Sequence, residues 1–541
     1  MRIHHFLLCL LALLPLRVFT QNIETVSGNI TQNTTWTKDK IYLLTGYVYV
    51  KSGASLTIQP GTVIQGDKQS KGTLIITRGA KIIADGKRSQ PIVFTSNQPN
   101  PAPADWGGVV VCGFAPTNAT TSGMSCLGVA EGGINTPSND ARYGSGDQTG
   151  GCGHADDNSG ILRFVRIEYG GIPFQLNNET NGLTLAGVGS GTTIDYVEVS
   201  HSGDDGFEFF GGTVHCKHLI SYGNKDDDFD FDMGYQGNIQ FAIGIRDPAL
   251  SDVSGSNGLE IDNDNTGTAV NPKTKPTLSN ITLVGPTGTM DDNFRRAAHL
   301  RRNSEPAIFN SLFIGNFPVG LYVDGVATIA NAQNNLLEIK HTYFADANEL
   351  LKATDPGFNI TQWFDNAAWN NEAMASSVPL ALQSPFNVND PNAQPLSGSS
   401  VNNAASFTMP RANIAFFEKV AYAGAFSAVE DWSCGWAKYE VLNTNCTVDS
   451  PEIPSIVDDI KISPNIAKEF INFAAQFKTS CDLSVDILAL NGQVAAQLCN
   501  ENVAAGAFVR TLSVQHLQPG FYLVRVRAGT SLHTEKLVIQ Q

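Results

Sequence analysis

Residues 224–234, NKDDDFDFDMG, place Asp226, Asp227, Asp228, Asp230 and Asp232 within seven positions, with Phe229 and Phe231 between them. Side chains alternate between the two faces of a strand. Phe229 and Phe231 therefore share one face, and Asp230 and Asp232 the other. Acids this dense repel one another, so a cation, water or a cationic ligand must compensate them.

The same pattern recurs. LTLAGV, FEFFGG, FDFDMG and LEIDND begin at residues 183, 207, 229 and 259, in steps of 24, 22 and 30. Each is followed by a second apolar run: DYVEVS, HLISYG, FAIGI and ITLVG. Short strands separated by Gly, Asn and Asp corners, at a period of about 22 residues, mark a solenoid whose coils stack into one core. The expected fold is all-β: a right-handed parallel β-helix followed by a small C-terminal β-sandwich. Scarce helical segments and a missing Leu/Asn spacing argue against a leucine-rich horseshoe, and the nonapeptide calcium repeat is absent.

Stacking gives the alternation a direction. Phe207, Phe209, Phe229, Phe231, Leu259 and Ile261 are expected inward. Glu208, Asp230 and Glu260 then form one outward column and Asp232 and Asp262 the next, with Arg301 and Asp324 farther along the same face. At a rung spacing of ~4.8 Å, ionised carboxylates repel by ~1 kcal/mol per pair even in water. Calcium takes six to eight oxygens and neutralises such a cluster. The expected metal ligands are Asp204, Asp205, Asp226, Asp227, Asp228 and Asp230. The competing reading leaves the corner aspartates capping turn backbone groups and the outward ones in solvent. Glu208, Asp230, Asp232, Glu260, Asp262 and Arg301 are candidate catalytic residues, because paired carboxylates at rung spacing can act as acid and base. No lyase or hydrolase signature accompanies them, and no residue pattern points to an organic cofactor. His201, His215 and His218 are read as packing or surface residues, and RRAAHLRR (295–302) as a basic run balancing the ladder.

The chain carries 35 Lys+Arg against 51 Asp+Glu, a formal charge of −16, which argues against nucleic acid or an anionic membrane as partner. MRIHHFLLCLLALLPLRVFT reads as a signal peptide over 1–20, and no later stretch is apolar enough to span a membrane. Of nine cysteines, Cys9 lies in that leader, leaving an even number, which favours disulfides in an exported chain. Cys434 with Cys446 and Cys481 with Cys499 are plausible local pairs, and Cys126 with Cys152 can pin the Gly/Asn/Asp insertion at 132–160. The expected division is a β-helix over 21–345, a flanking segment over 346–445, a Pro/Asp/Ser linker over 446–458 and a terminal β-sandwich over 459–541. Asn491-Gly492 supplies a hairpin turn there.

This tail resembles the C-terminal sorting domain of type IX secretion cargo in Bacteroidetes. The residues concerned are Pro464-Asn465, Asn491-Gly492, Leu517, Gly520-Phe521-Tyr522 and EKLVIQ around Lys536; Ile466 departs from the usual second proline. The resemblance implies contact with the type IX secretion machinery and transport to the outer surface, or release. The body, through IYLLTGYVYVKSGASLTIQPGTVIQG, DWGGVVVCG, DNSGILRFVRIEYGG and GDDGFEFFGGTV, is similar to a group of Bacteroidetes surface proteins. That similarity supports a β-helix and export, and transfers no catalytic residue. The expected function is binding of an extracellular polysaccharide or surface glycan, or adhesion. The alternative is a polysaccharide lyase or glycoside hydrolase using the acidic ladder.

Overall fold

The computed structural model describes residues 22–175, 178–388, 390–439, 457–489, 494–528 and 531–540. The expected signal peptide, Cys446, the linker up to residue 456 and the Asn491-Gly492 turn lie outside them. The chain divides into two compact units, residues 1–444 and 445–541.

The first unit is a parallel β-helix. Seven of its strands build the face that matters below: β1 (Leu183–Ala186), β2 (Phe207–Phe210), β3 (Phe229–Asp232), β4 (Leu259–Ile261), β5 (Arg296–Leu300), β6 (Val319–Val323) and β7 (Glu349–Ala353). Each pairs in parallel with the next. Parallel pairing continues past residue 345 as far as Glu372–Met374. Phe207 stacks on Phe229 at 5.3 Å and Phe209 on Phe231 at 4.7 Å, inside one core that also holds Leu259, Ile261, Leu300 and Leu321. The alternation in FDFD is thus used as expected, each inward phenylalanine stacking on its counterpart in the next rung.

A second set of rungs carries a corner built from left-handed residues. Phe164, Tyr196, His218, Phe241, Asn280, Asn310 and His341 all have φ between 49° and 61°. Their rings stack outward: Phe164 on Tyr196 at 4.5 Å, Tyr196 on His218 at 4.1 Å, His218 on Phe241 at 5.2 Å. The segment after residue 375 packs on this side, with Trp432, Trp436, Phe426 and Leu380 closing over Ile220, Ile243 and Ile245. The histidines therefore do belong to packing: His218 bonds Asp195 at 2.7 Å, and His201 stacks on Tyr169.

The second unit is a β-sandwich. A three-stranded antiparallel sheet (Val457–Ser463, Phe470–Phe477, Gly506–Ser513) faces a five-stranded one containing Cys481–Ala489, Val494–Val503, Gly520–Ala528 and Ser531–Ile539. Ile471, Phe473, Val485, Ile487, Val524 and Leu537 from both sheets form its core. Cys126 and Cys152 are bonded, and Cys434 is disulfide-bonded. The expected Cys481–Cys499 bond is a correction: both thiols are free and buried, because the register sets Cys481 opposite Val503 and Cys499 opposite Val485. Among the described residues no helix is long and apolar enough to cross a membrane.

Candidate functional site

One outward column runs the length of the β-helix. In register it reads Tyr49, Ile75, Val110, Thr184, Glu208, Asp230, Glu260, His299, Tyr322, Lys352. Its first part is apolar and covered by the insertion, whose Ala130, Ile134, Ala141 and Tyr143 pack on Tyr49, Ile75 and Val110. Tyr143 also stacks on Phe210, the residue after the core Phe209, at 6.0 Å. The acids begin where this cover ends. The neighbouring column holds Asp232 and Asp262, followed by Arg301 and Asp324, each joined to the previous rung through its backbone N–H.

Most of the outward acids are withdrawn from solvent, and Asp230 is half-buried. Glu208 is 4% exposed, Glu260 8%, Asp232 8% and Asp262 3%. Three groups of carboxylates have ligand atoms within 4.8 Å of one another: Asp204, Asp205 and Asp226; Asp205, Glu208 and Asp230; Asp227, Asp230 and Glu260. Burial, and then the charge of Asp230, raises the Glu208 carboxyl well above the ordinary range. Burial and Glu260 do the same to Asp230, and burial and Asp226 to Asp205. The Glu208 Oε1 and Asp230 Oδ1 atoms are enclosed and have no hydrogen-bond partner among the described residues, and the side-chain partner of the Glu208 carboxyl is another acid, Asp205.

The corner before each strand has a separate task. Asn181 Oδ1 accepts the Asp205 N–H at 3.2 Å, Asp205 Oδ1 that of Asp227 at 2.8 Å, and Asp227 Oδ1 that of Asn257 at 2.5 Å. This ladder satisfies one turn donor per rung and fixes one oxygen of each aspartate, so Asp205 and Asp227 both cap backbone and face the acid groups. Asp226 accepts from Ser254 at 2.6 Å. Asp228 turns away from all three groups, accepting from Ser221 at 2.6 Å and Arg246 at 3.3 Å inside the wall of the helix.

Past Asp230 the charges are matched. His299 Nδ1 meets Glu260 Oε2 at 3.2 Å, and its Nε2 meets Asp324 Oδ2 at 3.1 Å. Arg301 donates to both Glu260 and Asp262, and Arg302 to Asp262 at 2.7 Å. Burial would raise Glu260, but the hydrogen bond to His299 and the charge of Arg301 outweigh it and hold the carboxyl below its usual value. Arg301 thus lies beside Glu260 and Asp262 as expected. His299 and Arg302 are visible in the sequence only as members of the run RRAAHLRR, which falls on the same strand position one coil later, and Asn257 carries no sequence signal beyond its place in the corner before Leu259.

The chain gives no match among curated proteins. It matches the secretion system C-terminal sorting domain over residues 461–540, the second unit, and so carries the address of type IX cargo, exported to the outer surface or secreted. It matches the family described as a pectate-lyase like beta helix domain over residues 28–381, well over half its length. The body is accordingly a parallel β-helix with a graded outward face, and the chain belongs to the pectate-lyase-like β-helix family.

Proposed function

We propose that the chain is a surface-exposed or secreted binding protein that holds a calcium ion in its acid cluster and an extracellular glycan along the adjoining strand face. The carrying observation is the pair of enclosed, unpartnered oxygens, Glu208 Oε1 and Asp230 Oδ1, among further carboxylates. A buried acid without a partner is costly, and a cation at that point removes the cost. The donors are all oxygens, with no Cys and no His in the three groups, which suits calcium rather than zinc or copper. Farther along the face Tyr322 stacks flat on His299 at 5.2 Å, with Arg296 and Lys352 over its ring at 5.5 and 5.7 Å. Such a row of aromatic, cationic and carboxylate groups suits sugar hydroxyls and rings.

Elimination or hydrolysis has less support. Arg301, the basic member of the candidate catalytic set, resists the effect of burial because Glu260 and Asp262 hold its pKa above the ordinary arginine value. A guanidinium so paired is a poor base.

The test is retention of the mature chain on immobilised polysaccharides, in calcium and in chelator, beside its Glu208→Gln variant. The reading expects at least one glycan to retain the native chain only with calcium. Equal retention in chelator contradicts the role of the ion, and release of shortened sugar chains would favour the enzyme.

A further inference from the structure

Glu208, Asp230 and Glu260 are register-equivalent on three successive strands, yet only Glu260 is saturated. Its Oε1 accepts from Arg301 Nη2, and its Oε2 from Asn257 Nδ2 at 3.0 Å and from His299 Nδ1 at 3.2 Å. Asp262 is treated likewise, Oδ1 accepting from Arg301 Nε and Oδ2 from Arg302 Nη1, both at 2.7 Å. Two guanidinium charges therefore balance two carboxylates. Two rungs earlier there is no such balance: Glu208 is 4% exposed and its Oε1 has no partner among the described residues. The groups Asp205–Glu208–Asp230 and Asp227–Asp230–Glu260 thus differ in what matters to an ion: in the second, Glu260 is taken by Arg301, Asn257 and His299, and Asp227 accepts from Asn257 through both oxygens, whereas Glu208 keeps a free oxygen.

We infer that Arg301 is a built-in counter-cation that closes the Asp227–Asp230–Glu260 group, so that the chain takes one divalent cation, at Asp205, Glu208 and Asp230; the remaining group, Asp204–Asp205–Asp226, shares Asp205 with that site and has Asp226 already accepting from Ser254. This rests on the cation reading above and adds the number of ions, their place and the residue that sets both. A hard cation binds carboxylate oxygens free of other donors and completes its shell with backbone oxygens or water. Entry at the second group would have to displace Arg301 from Glu260 while leaving its positive charge beside the ion, and like charges at such range repel strongly. Asp230 belongs to both groups, so an ion at the first also takes a ligand from the second.

Calcium titration of the mature full-length chain by calorimetry tests this. One ion per native chain is expected. Glu208→Gln should weaken binding at least 100-fold, because the closed group cannot substitute for the open one. Arg301→Gln should admit a second ion, Arg301→Lys should keep the count at one, and the pair Glu208→Gln with Arg301→Gln should recover one ion. Two ions in the native chain, one tightly held ion in Glu208→Gln, or no recovery in a folded double variant overturns the inference. No calcium binding by the native chain overturns the cation reading itself. Where Arg301→Gln fails to fold, the Glu208→Gln titration alone decides.

Discussion

Asp228 is sealed in the β-helix wall against Arg246, the two side chains 1% and 0% exposed and 3.3 Å apart. Asp226 and Asp227, its immediate neighbours, face Ser254 and the Asn257 backbone. Strand alternation cannot foretell this divergence, since the three residues sit in a corner, where no period-two rule applies; the sequence alone therefore groups Asp228 with the acids it turns away from. Removing one partner of a buried pair strands the other, so Arg246→Met should cost ~3–5 kcal/mol of stability, read from urea unfolding. Asp232 behaves differently. Burial first, and the charge of Asp262 second, push its pKa up to about 8. A carboxyl whose folded pKa is raised favours the native state while protonated, so its contribution is present at acid pH and lost as pH climbs from the unfolded value through 8. Asp232→Asn should therefore raise the melting temperature at pH 8, by an amount equivalent to ~1–3 kcal/mol, with the gain shrinking toward pH 5. A gain independent of pH would assign the effect to packing instead.

Strands that bend at a left-handed residue break their own alternation. In Thr193–Ser200 both Ile194 and Val197 are core residues although three positions apart, because Tyr196 at φ 54° shifts the phase. The pairing skips the same place, Arg163 facing Asp195 and then Val165 facing Val197. The short functional strands lack such a residue, which is why FEFF and FDFD were legible from sequence while the longer runs showed only as apolar. Asn310 (φ 52°) occupies this corner column fully buried, bonding Ser406 O and Ser279 Oγ at 3.0 Å and accepting from Ser406 N at 2.8 Å. Asn310→Val combines ~1–2 kcal/mol of left-handed strain with lost buried hydrogen bonds at ~1–3 kcal/mol each. It should cost ~3–6 kcal/mol in all, and Asn310→Gly clearly less, by equilibrium unfolding. Equal costs would remove the backbone from the explanation.

Across the whole molecule, the outward column owes the change in its character to a distant segment. Tyr143 and Ile134 of the insertion lie on rungs formed by Tyr49 and Val110. That cover keeps the apolar end of the column dry and reaches as far as Phe210, two positions from Glu208. Local sequence could not reveal it, because a Gly/Asn/Asp-rich loop carries no periodicity to say where it packs. The columns themselves, their inward phenylalanines and the sorting unit were readable, since each rests on short-range alternation or on a terminal motif. The matching of Glu260 and Asp262 by Arg301 and Arg302 was readable only as a basic run of the right sign.

The central claim, a cation held by Asp205, Glu208 and Asp230, is tested most directly by thermal unfolding of residues 21–541 in calcium and in chelator. A ligand at 100 times its dissociation constant stabilises the native state by ~2.7 kcal/mol, which for the body of this chain is a rise of several degrees. The account predicts that rise in the native chain and its disappearance in Glu208→Gln. An unchanged melting temperature in the native chain, or an undiminished rise in Glu208→Gln, would contradict it.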